Sequence, residues 1–341
     1  MGASLAVVSP GMMTTVQDLG RFGHQAQGVP VSGALDPGHL RLANALVGND
    51  EGQGALEIRI MGPSFKVMAK SVRVALAGTD AVIEVTSGKK RDIPAGTSAT
   101  LVEGEEFRVA VIKDSAVCYL AVAGGFGLPK IYGSQSTYLS GGFGGLAGRA
   151  LQAKDNLPLA LAEAPDEPER RCTVPLDYPT GPVRVVLGPQ DDYFSKAAIE
   201  TFLSQDYAIS ADANRMGLRL EGEAIGHEKG ADISSDGIVT GAIQVPGNGL
   251  PIILLADHQT TGGYPKIACV ASADIPRLGR MKPGAKMRFE AASAAEAEEA
   301  RRGFEAMIRN AIASIATIAD EAAMLELRLV EVNLISGVVV A

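Results

Sequence analysis

Residues 254–270 read LLADHQTTGGYPKIACV. Two apolar runs enclose Asp257, His258, Gln259, Thr260, Thr261, Tyr264 and Lys266, with Gly262 and Gly263 in the bend. A hairpin turn needs Gly, Asn or Asp and little else, so this connection carries more functional groups than its geometry demands. Asp257 or His258 has the chemistry of a general base, and Lys266 that of a stabiliser for a developing oxyanion. Pro265 fixes a backbone angle beside Lys266 and limits where the ammonium points. The plainer alternative is a solvated hairpin, which rarely needs Tyr and two Thr beside Asp and Lys.

Two more polar constellations stand out. Residues 14–36, TTVQDLGRFGHQAQGVPVSGALD, place Thr15, Gln17, Asp18, Arg21, Ser32 and Asp36 among Gly and Pro. The planar guanidinium of Arg21 suits a carboxylate or phosphate; the bland alternative is an Asp18–Arg21 surface pair that organises its own loop. Residues 133–150, GSQSTYLSGGFGGLAGRA, set Ser134, Ser136, Thr137 and Arg149 around Gly141, Gly142, Gly144 and Gly145. A GxGxxA pattern is present there, but it follows no clean strand, so a dinucleotide fingerprint is not indicated. The loop amides could face an anion, or the hydroxyls could satisfy their own backbone.

The elements that must position these groups are short. Segments such as SVRVALAG, AVIEVTSG, EEFRVAVI, CYLAVAGG, VRVVLG and KIACVAS alternate with Gly/Pro turns and read as many strands, a mainly β sandwich or barrel. Leu250–Ala256 is expected as a buried strand that delivers Asp257 to Lys266 into a cleft. The expected organisation is a β domain over 1–162, a charged, Pro-rich linker or long surface connection over 163–182, a second β domain over 183–292, and a helix and strand extension over 293–341. Ser293 and Glu296 fit a capping box, and Phe304, Ile308, Ala311, Ile315, Ile318 and Ala322 form one helical stripe, which predicts a single long helix. Residues 327–334 alternate like a strand. Pro129-Lys130-Ile131 and Pro265-Lys266-Ile267 each follow an apolar strand and a Gly-Gly bend, an echo that points to two related β halves.

Composition narrows the function classes. A net charge of −8 argues against nucleic acid or an anionic membrane as main partner. No apolar run is long enough to span a bilayer and no signal peptide is evident, so a cytoplasmic location is expected. The chain has neither a P-loop nor a G-x-S-x-G elbow nor HExxH spacing. Its three cysteines form no CxxC pair, and no metal site is expected. Cys269 reads as a structural thiol. No Met-Lys-Met biotinylation site is present, so the chain is not its own biotin carrier.

Six motifs in order, TTVQDLGRFGHQAQGVPVSGALD, ANALVGND, ALEI, STYLSGGFGGLAGRAL, NRMGLRLEG and GAIQVPGNGLPIILLADHQTTGGYPKIACV, together resemble the family of KipA and the C subunit of 5-oxoprolinase. That family is also called allophanate hydrolase subunit 2, or the biotin-dependent carboxyltransferase domain of urea carboxylase. The resemblance runs over about residues 3–302. It implies cyclophilin-like β-barrel halves, and as partners the KipI-like B subunit of 5-oxoprolinase and its LamB/YcsF-like A subunit. The implied activity is ATP-dependent opening of 5-oxoproline to glutamate, with ATP at a site this chain does not reveal. The implied roles are Asp257, His258 and Lys266 in catalysis, and Arg21 or Arg215 reading the substrate carboxylate. Substrate contacts would come from Thr15, Gln17, Asp18, Asn214, Gln259, Thr260, Thr261 and Tyr264. Two alternatives stay open: carboxyl transfer from carboxybiotin to a urea-like amide, or a KipA-like regulator that sequesters a KipI-like protein.

Overall fold

The structure is a computed structural model and describes residues 2–318. The strand expected over 327–334 lies outside the described residues, as does Ala322.

The N-terminal half holds two antiparallel sheets. One has six strands, in the order Asn156–Pro158, Ser4–Ser9, Ser64–Met68, Glu106–Val109, Val82–Val85 and Arg91–Pro94. The other has five, in the order Met13–Gln17, Ala55–Arg59, Cys118–Val122, Ser71–Ala77 and Ser98–Val102. Successive side chains on a strand point to opposite faces, and the five-stranded sheet uses both. Leu56, Ile58, Val74, Leu76, Leu120 and Val122 pack with Leu5, Phe65, Ile83 and Phe107 of the six-stranded sheet. Ala55, Ala75, Ala77, Tyr119 and Ala121 join a different core, with helix α1 (Pro37–Leu46) and the second half of the chain. The small residues on that face leave room for a helix. Glu57 stands on it too, almost wholly buried.

The second half is an eight-stranded sheet, in the order Lys286–Met287, Tyr207–Ile209, Gly217–Glu221, Ile252–Leu254, Ala242–Gln244, Lys266–Val270, Val183–Leu187 and Phe289–Ala291. Its two edge strands are neighbours in the chain, separated by Arg288 alone. The sheet therefore curls into a nearly closed barrel and leaves little open edge. Helix α2 (Lys196–Ser204) packs Phe202 against Phe289, ring centroids 4.6 Å apart. The expected strand over 250–256 is shorter, Ile252–Leu254, because Pro251 and the turn after Ala256 bound it, yet Leu255 and Ala256 are buried. The Pro-Lys-Ile echo covers two environments: Lys130 is exposed in a loop, while Lys266 is buried in a central strand.

Residues 163–182 carry strand Arg170–Cys172, bury Leu176, and send the Tyr178 hydroxyl to Asp36. Helix α3 (Ile275–Arg280) follows the barrel's central strands. Helix α4 (Ala294–Ala313) has the expected capping box: the Glu296 N–H donates to the Ser293 hydroxyl, and the Glu296 carboxylate accepts from the Ser293 N–H. Phe304, Ile308 and Ala311 are its buried stripe. The single long helix needs correction, since it stops at Ala313. Ile315 belongs instead to strand Ile315–Thr317, which pairs with Arg170–Cys172. Three β-branched residues among 315–318 favour the strand, and Arg170–Cys172 offers it a free edge.

Asp36 caps α1 and fastens it to two other segments. It caps the helix through the His39 N–H, 3.2 Å, and accepts the His39 ring at 2.6 Å, the Tyr178 hydroxyl, and the Arg280 guanidinium at 3.3 Å. Burial works to raise its pKa, but His39 and Arg280 outweigh it and the carboxyl is held below the usual carboxylate range. Replacing Asp36 by Ala orphans these donors in a buried site. Chemical denaturation is expected to show a loss of about 3–5 kcal/mol; a loss near that of an ordinary N-cap, about 1 kcal/mol, would show that the other partners contribute nothing.

Candidate active site

The three polar constellations meet where the two halves join. Arg215 is the centre. It leads into strand Gly217–Glu221 of the barrel and is buried. Its Nε and Nη2 donate to the two Asp257 carboxylate oxygens at 2.8 and 3.2 Å. Its Nη1 donates to Glu57 at 2.5 Å and its Nη2 to the Gly33 carbonyl at 2.6 Å. Burial would lower the Arg215 pKa, but the Glu57 and Asp257 charges more than offset it and hold the guanidinium protonated. The other Glu57 oxygen accepts the Leu35 N–H at 2.9 Å and the Tyr119 hydroxyl at 2.7 Å. Burial and the Glu57 charge keep that phenol protonated, so it donates to Glu57 while accepting the Asp36 N–H at 2.8 Å.

Asp18 ties the first constellation to the Gly-rich one. Its Oδ1 accepts Ser134 at 2.6 Å, Ser136 at 2.5 Å and the Gly20 N–H at 2.8 Å, and its Oδ2 accepts the Gln135 N–H at 2.6 Å. The surface Asp18–Arg21 pair does not form: both residues are buried, and the Asp18 oxygens are taken by these four donors. Arg21 donates through Nη2 to the Ser136 carbonyl and lies under the Phe143 ring, 4.9 Å from its centroid. Burial lowers the Arg21 pKa, the Asp18 and Asp257 charges oppose that, and Arg215 adds to it. Gly144 must be glycine, because a Cβ there would sit 1.9 Å from the Ser136 carbonyl oxygen. Gln17 donates to Thr15 at 3.0 Å and to the Thr137 carbonyl at 3.1 Å. The first constellation reaches the third through the Ser32 N–H, which donates to the Ala256 carbonyl at 3.0 Å.

Beyond Asp257, the opening stretch divides by burial. His258 is fully buried; its Nδ1 meets the Gln259 carbonyl at 2.5 Å and its Nε2 the Thr240 hydroxyl at 3.2 Å. Lys266 is 3% exposed and donates to Asp236 at 2.7 Å. Asp236 is exposed, on the two-residue strand Asp236–Gly237 that pairs with Thr261–Gly262. Gln259, Thr261 and Tyr264 are exposed and Thr260 is partly so. Gln244 stands opposite Lys266 in the sheet, and Gln259 reaches it at 3.5 Å. A buried ammonium whose one carboxylate partner is solvent-facing can exchange that partner for a developing oxyanion without leaving the barrel wall.

The remaining candidates have structural neighbours. Asn214 is exposed and closes a turn through the Met216 N–H at 2.8 Å. Arg149 makes a two-pronged pair with Asp155 at 2.7 and 2.8 Å. Thr137 donates to the Val16 carbonyl at 3.0 Å, while Gly141 and Gly142 form an exposed tip and Gly145 is buried. Sequence reasoning missed Glu57, Tyr119, Thr240, Gln244 and Asp236. Only Glu57 carried a signal, a lone acid inside the apolar strand Ala55–Arg59. Among the described residues no group of three or more His, Cys, Asp or Glu could hold a metal ion, and no helix is long and apolar enough to cross a membrane. A cleft of about 720 Å³ between Tyr178, Arg277, Lys282 and Lys286 lies away from these groups, whereas a smaller one of about 190 Å³ is lined by Ser32, Thr240 and Ala256.

Two β lobes joined by a buried charge bridge, with a polar mouth on the barrel, define a carboxyltransferase-type domain: residues 27–291 match the family described as carboxyltransferase domain, subdomain A and B, and the chain belongs to that family. Within it, the chain is 36% identical over 302 residues to the C subunit of 5-oxoprolinase from Escherichia coli, covering 87% of this chain and 94% of that protein. It is 34% identical over 288 residues to the C subunit of 5-oxoprolinase from Haemophilus influenzae, covering 84% and 91%. The crystal structure of K. lactis urea amidolyase superposes with a TM-score of 0.81 at 28% identity, covering 90% of this chain but 20% of that protein.

Burial holds the His258 pKa below its ordinary value, against the Gln259 carbonyl and the Asp257 charge, which raise it. A group whose folded pKa is depressed binds more protons when unfolded, so its contribution is present above its unfolded pKa, about 6.5, and is lost as pH falls toward the folded value. The unfolding midpoint is expected to drop between pH 7.5 and 5.5, and less steeply in His258→Asn. Parallel slopes in the two proteins would rule out this role for His258.

Proposed function

We propose that the chain is the carboxyltransferase-fold subunit of a cytoplasmic, multisubunit 5-oxoprolinase that opens 5-oxoproline to glutamate, with ADP and phosphate as the other products. The observation that carries this reading is Lys266: a buried ammonium in a central barrel strand, beside an exposed polar turn, held by the exposed Asp236 carboxylate at 2.7 Å and, more weakly, by the Gly237 carbonyl at 3.5 Å. The match to the E. coli protein along 94% of its length supports the choice of reaction. The partners would be a KipI-like protein and a LamB/YcsF-like protein, and ATP would bind with their help. A lactam is a stable amide. Transfer of the ATP γ-phosphoryl group to its carbonyl oxygen, with ADP leaving, activates the carbon; water adds there and gives up a proton, and Lys266 neutralises the negative charge that develops on oxygen. The ring C–N bond then breaks as the nitrogen is protonated, and a second water hydrolyses the resulting acyl phosphate to glutamate and phosphate. His258, held neutral by burial, has Nε2 against a hydroxyl and is the candidate proton acceptor, whereas Asp257 fixes Arg215. Gln259, Thr261 and Tyr264 line the entrance.

Carboxyl transfer to a urea-like amide, with biotin carried by another protein, is the second reading, favoured by the urea amidolyase likeness. That likeness covers one fifth of a much larger protein, so it speaks to the shared domain more than to the whole reaction.

The test is turnover by the chain mixed with its KipI-like and LamB/YcsF-like partners, with the chain alone inactive. Lys266→Met keeps the bulk of the side chain. It should lower kcat by about 10²–10³ while the complex still assembles. Wild-type turnover in an assembled Lys266→Met complex would remove Lys266 from the chemistry, and glutamate release by the chain alone would contradict the subunit role.

A further inference from the structure

Among the described residues, several of the buried polar atoms left without a partner belong to the first polar constellation. Arg21 Nε and Nη1, Gln17 Oε1 and Ser32 Oγ all lack one, although Arg21 is 1% exposed. Buried donors are nearly always satisfied, and a buried guanidinium with two idle nitrogens is costly unless something occupies its free edge. Arg215, the other candidate reader of an anion, has all three nitrogens engaged by Asp257, Glu57 and Gly33. Asp18 does not quench Arg21 by contact, because its oxygens are taken by Ser134, Ser136, Gly20 and Gln135.

What covers Arg21 is Phe143, on the Gly-rich loop. Its ring also meets Tyr138 edge-on at 5.6 Å and Tyr132 at 6.2 Å. Tyr132 is 49% exposed, and the tip residues Gly141 and Gly142 are exposed. The Phe143 backbone is held to the loop base by a reciprocal pair with Tyr138: its carbonyl accepts the Tyr138 N–H at 2.9 Å, and its N–H donates to the Tyr138 carbonyl at 3.4 Å. The Phe143 ring is only half-buried, so rotation about its side-chain torsions can uncover Arg21 while the Tyr138–Phe143 backbone pair stays in place.

We infer that Arg21 is the specificity residue for a small carboxylate, and that Phe143 is a cover that closes over it. Displacing the ring exposes the idle guanidinium nitrogens, and a carboxylate takes the place that the ring shields. The inference uses the preceding reading only to choose 5-oxoproline as a probe.

The experiment measures modification of Arg21 by phenylglyoxal, followed by mass spectrometry, in the assembled complex. Three probes are added in turn: 5-oxoproline, tetrahydrofuran-2-carboxylate, which keeps the carboxylate without the lactam, and 2-pyrrolidinone, which keeps the lactam without the carboxylate. Phe143→Ala should raise Arg21 labelling several-fold, and both carboxylates, but not 2-pyrrolidinone, should suppress it. Arg21→Lys, folded by its melting curve, should weaken 5-oxoproline binding at least tenfold and leave 2-pyrrolidinone unchanged. Suppression by tetrahydrofuran-2-carboxylate alone would uphold Arg21 as a carboxylate reader and count against 5-oxoproline as substrate. Failure of both carboxylates to suppress labelling would overturn the inference, and unchanged labelling in Phe143→Ala would overturn the cover.

Discussion

The two halves are pinned at the site by one buried cation. Arg215 belongs to the barrel, Glu57 to the five-stranded sheet and Asp257 to the functional turn, and the guanidinium holds both carboxylates at once. Two carboxylates in an apolar junction would repel and be poorly solvated; with Arg215 between them they become a fixed hinge pin. Such a triad is weak evidence of net stability, because desolvation takes back much of the Coulomb attraction. Its value lies in geometry. Only one arrangement of the halves satisfies three charges, the Tyr119 phenol and the Gly33 carbonyl together.

That geometry has consequences for the site. The turn after Ala256 cannot shift without disturbing Arg215, so His258 and the start of the polar connection are set by a contact to the other half. Asp18 performs the same office for the loops at 18–21 and 134–137, with four donors converging on one carboxylate. The groups with spare capacity sit just outside these two anchors: Lys266 with an exposed partner, and Arg21 with idle nitrogens. A rigid frame with a few under-committed polar groups at its edge is what a binding and catalytic surface requires.

Much of this was legible in the sequence. Short Val- and Ile-rich runs between glycines announced a mainly β fold, and Ser293 with Glu296 announced the start of α4. The three polar constellations were visible because polar side chains in Gly-rich turns exceed what turns need. Their convergence was not, because Asp18 meets Ser136 across more than a hundred residues and pattern reading sees only neighbours. Glu57 and Tyr119 hid inside apolar strands, where alternation marks a buried face without saying what lies opposite. The end of α4 was missed because the helical stripe continues through Ile315, and only the strand at Arg170–Cys172 makes the extended conformation the better one there.

The dependence of the site on the inter-half bridge is tested most directly by amide hydrogen exchange on Glu57→Gln, which keeps the shape of the side chain and removes its charge. If Arg215 transmits position from one half to the other, protection should fall together at residues 31–36 and 254–258, although the substitution lies on strand Ala55–Arg59. Loss of protection confined to that strand and its sheet neighbours, with 254–258 unchanged, would contradict the account.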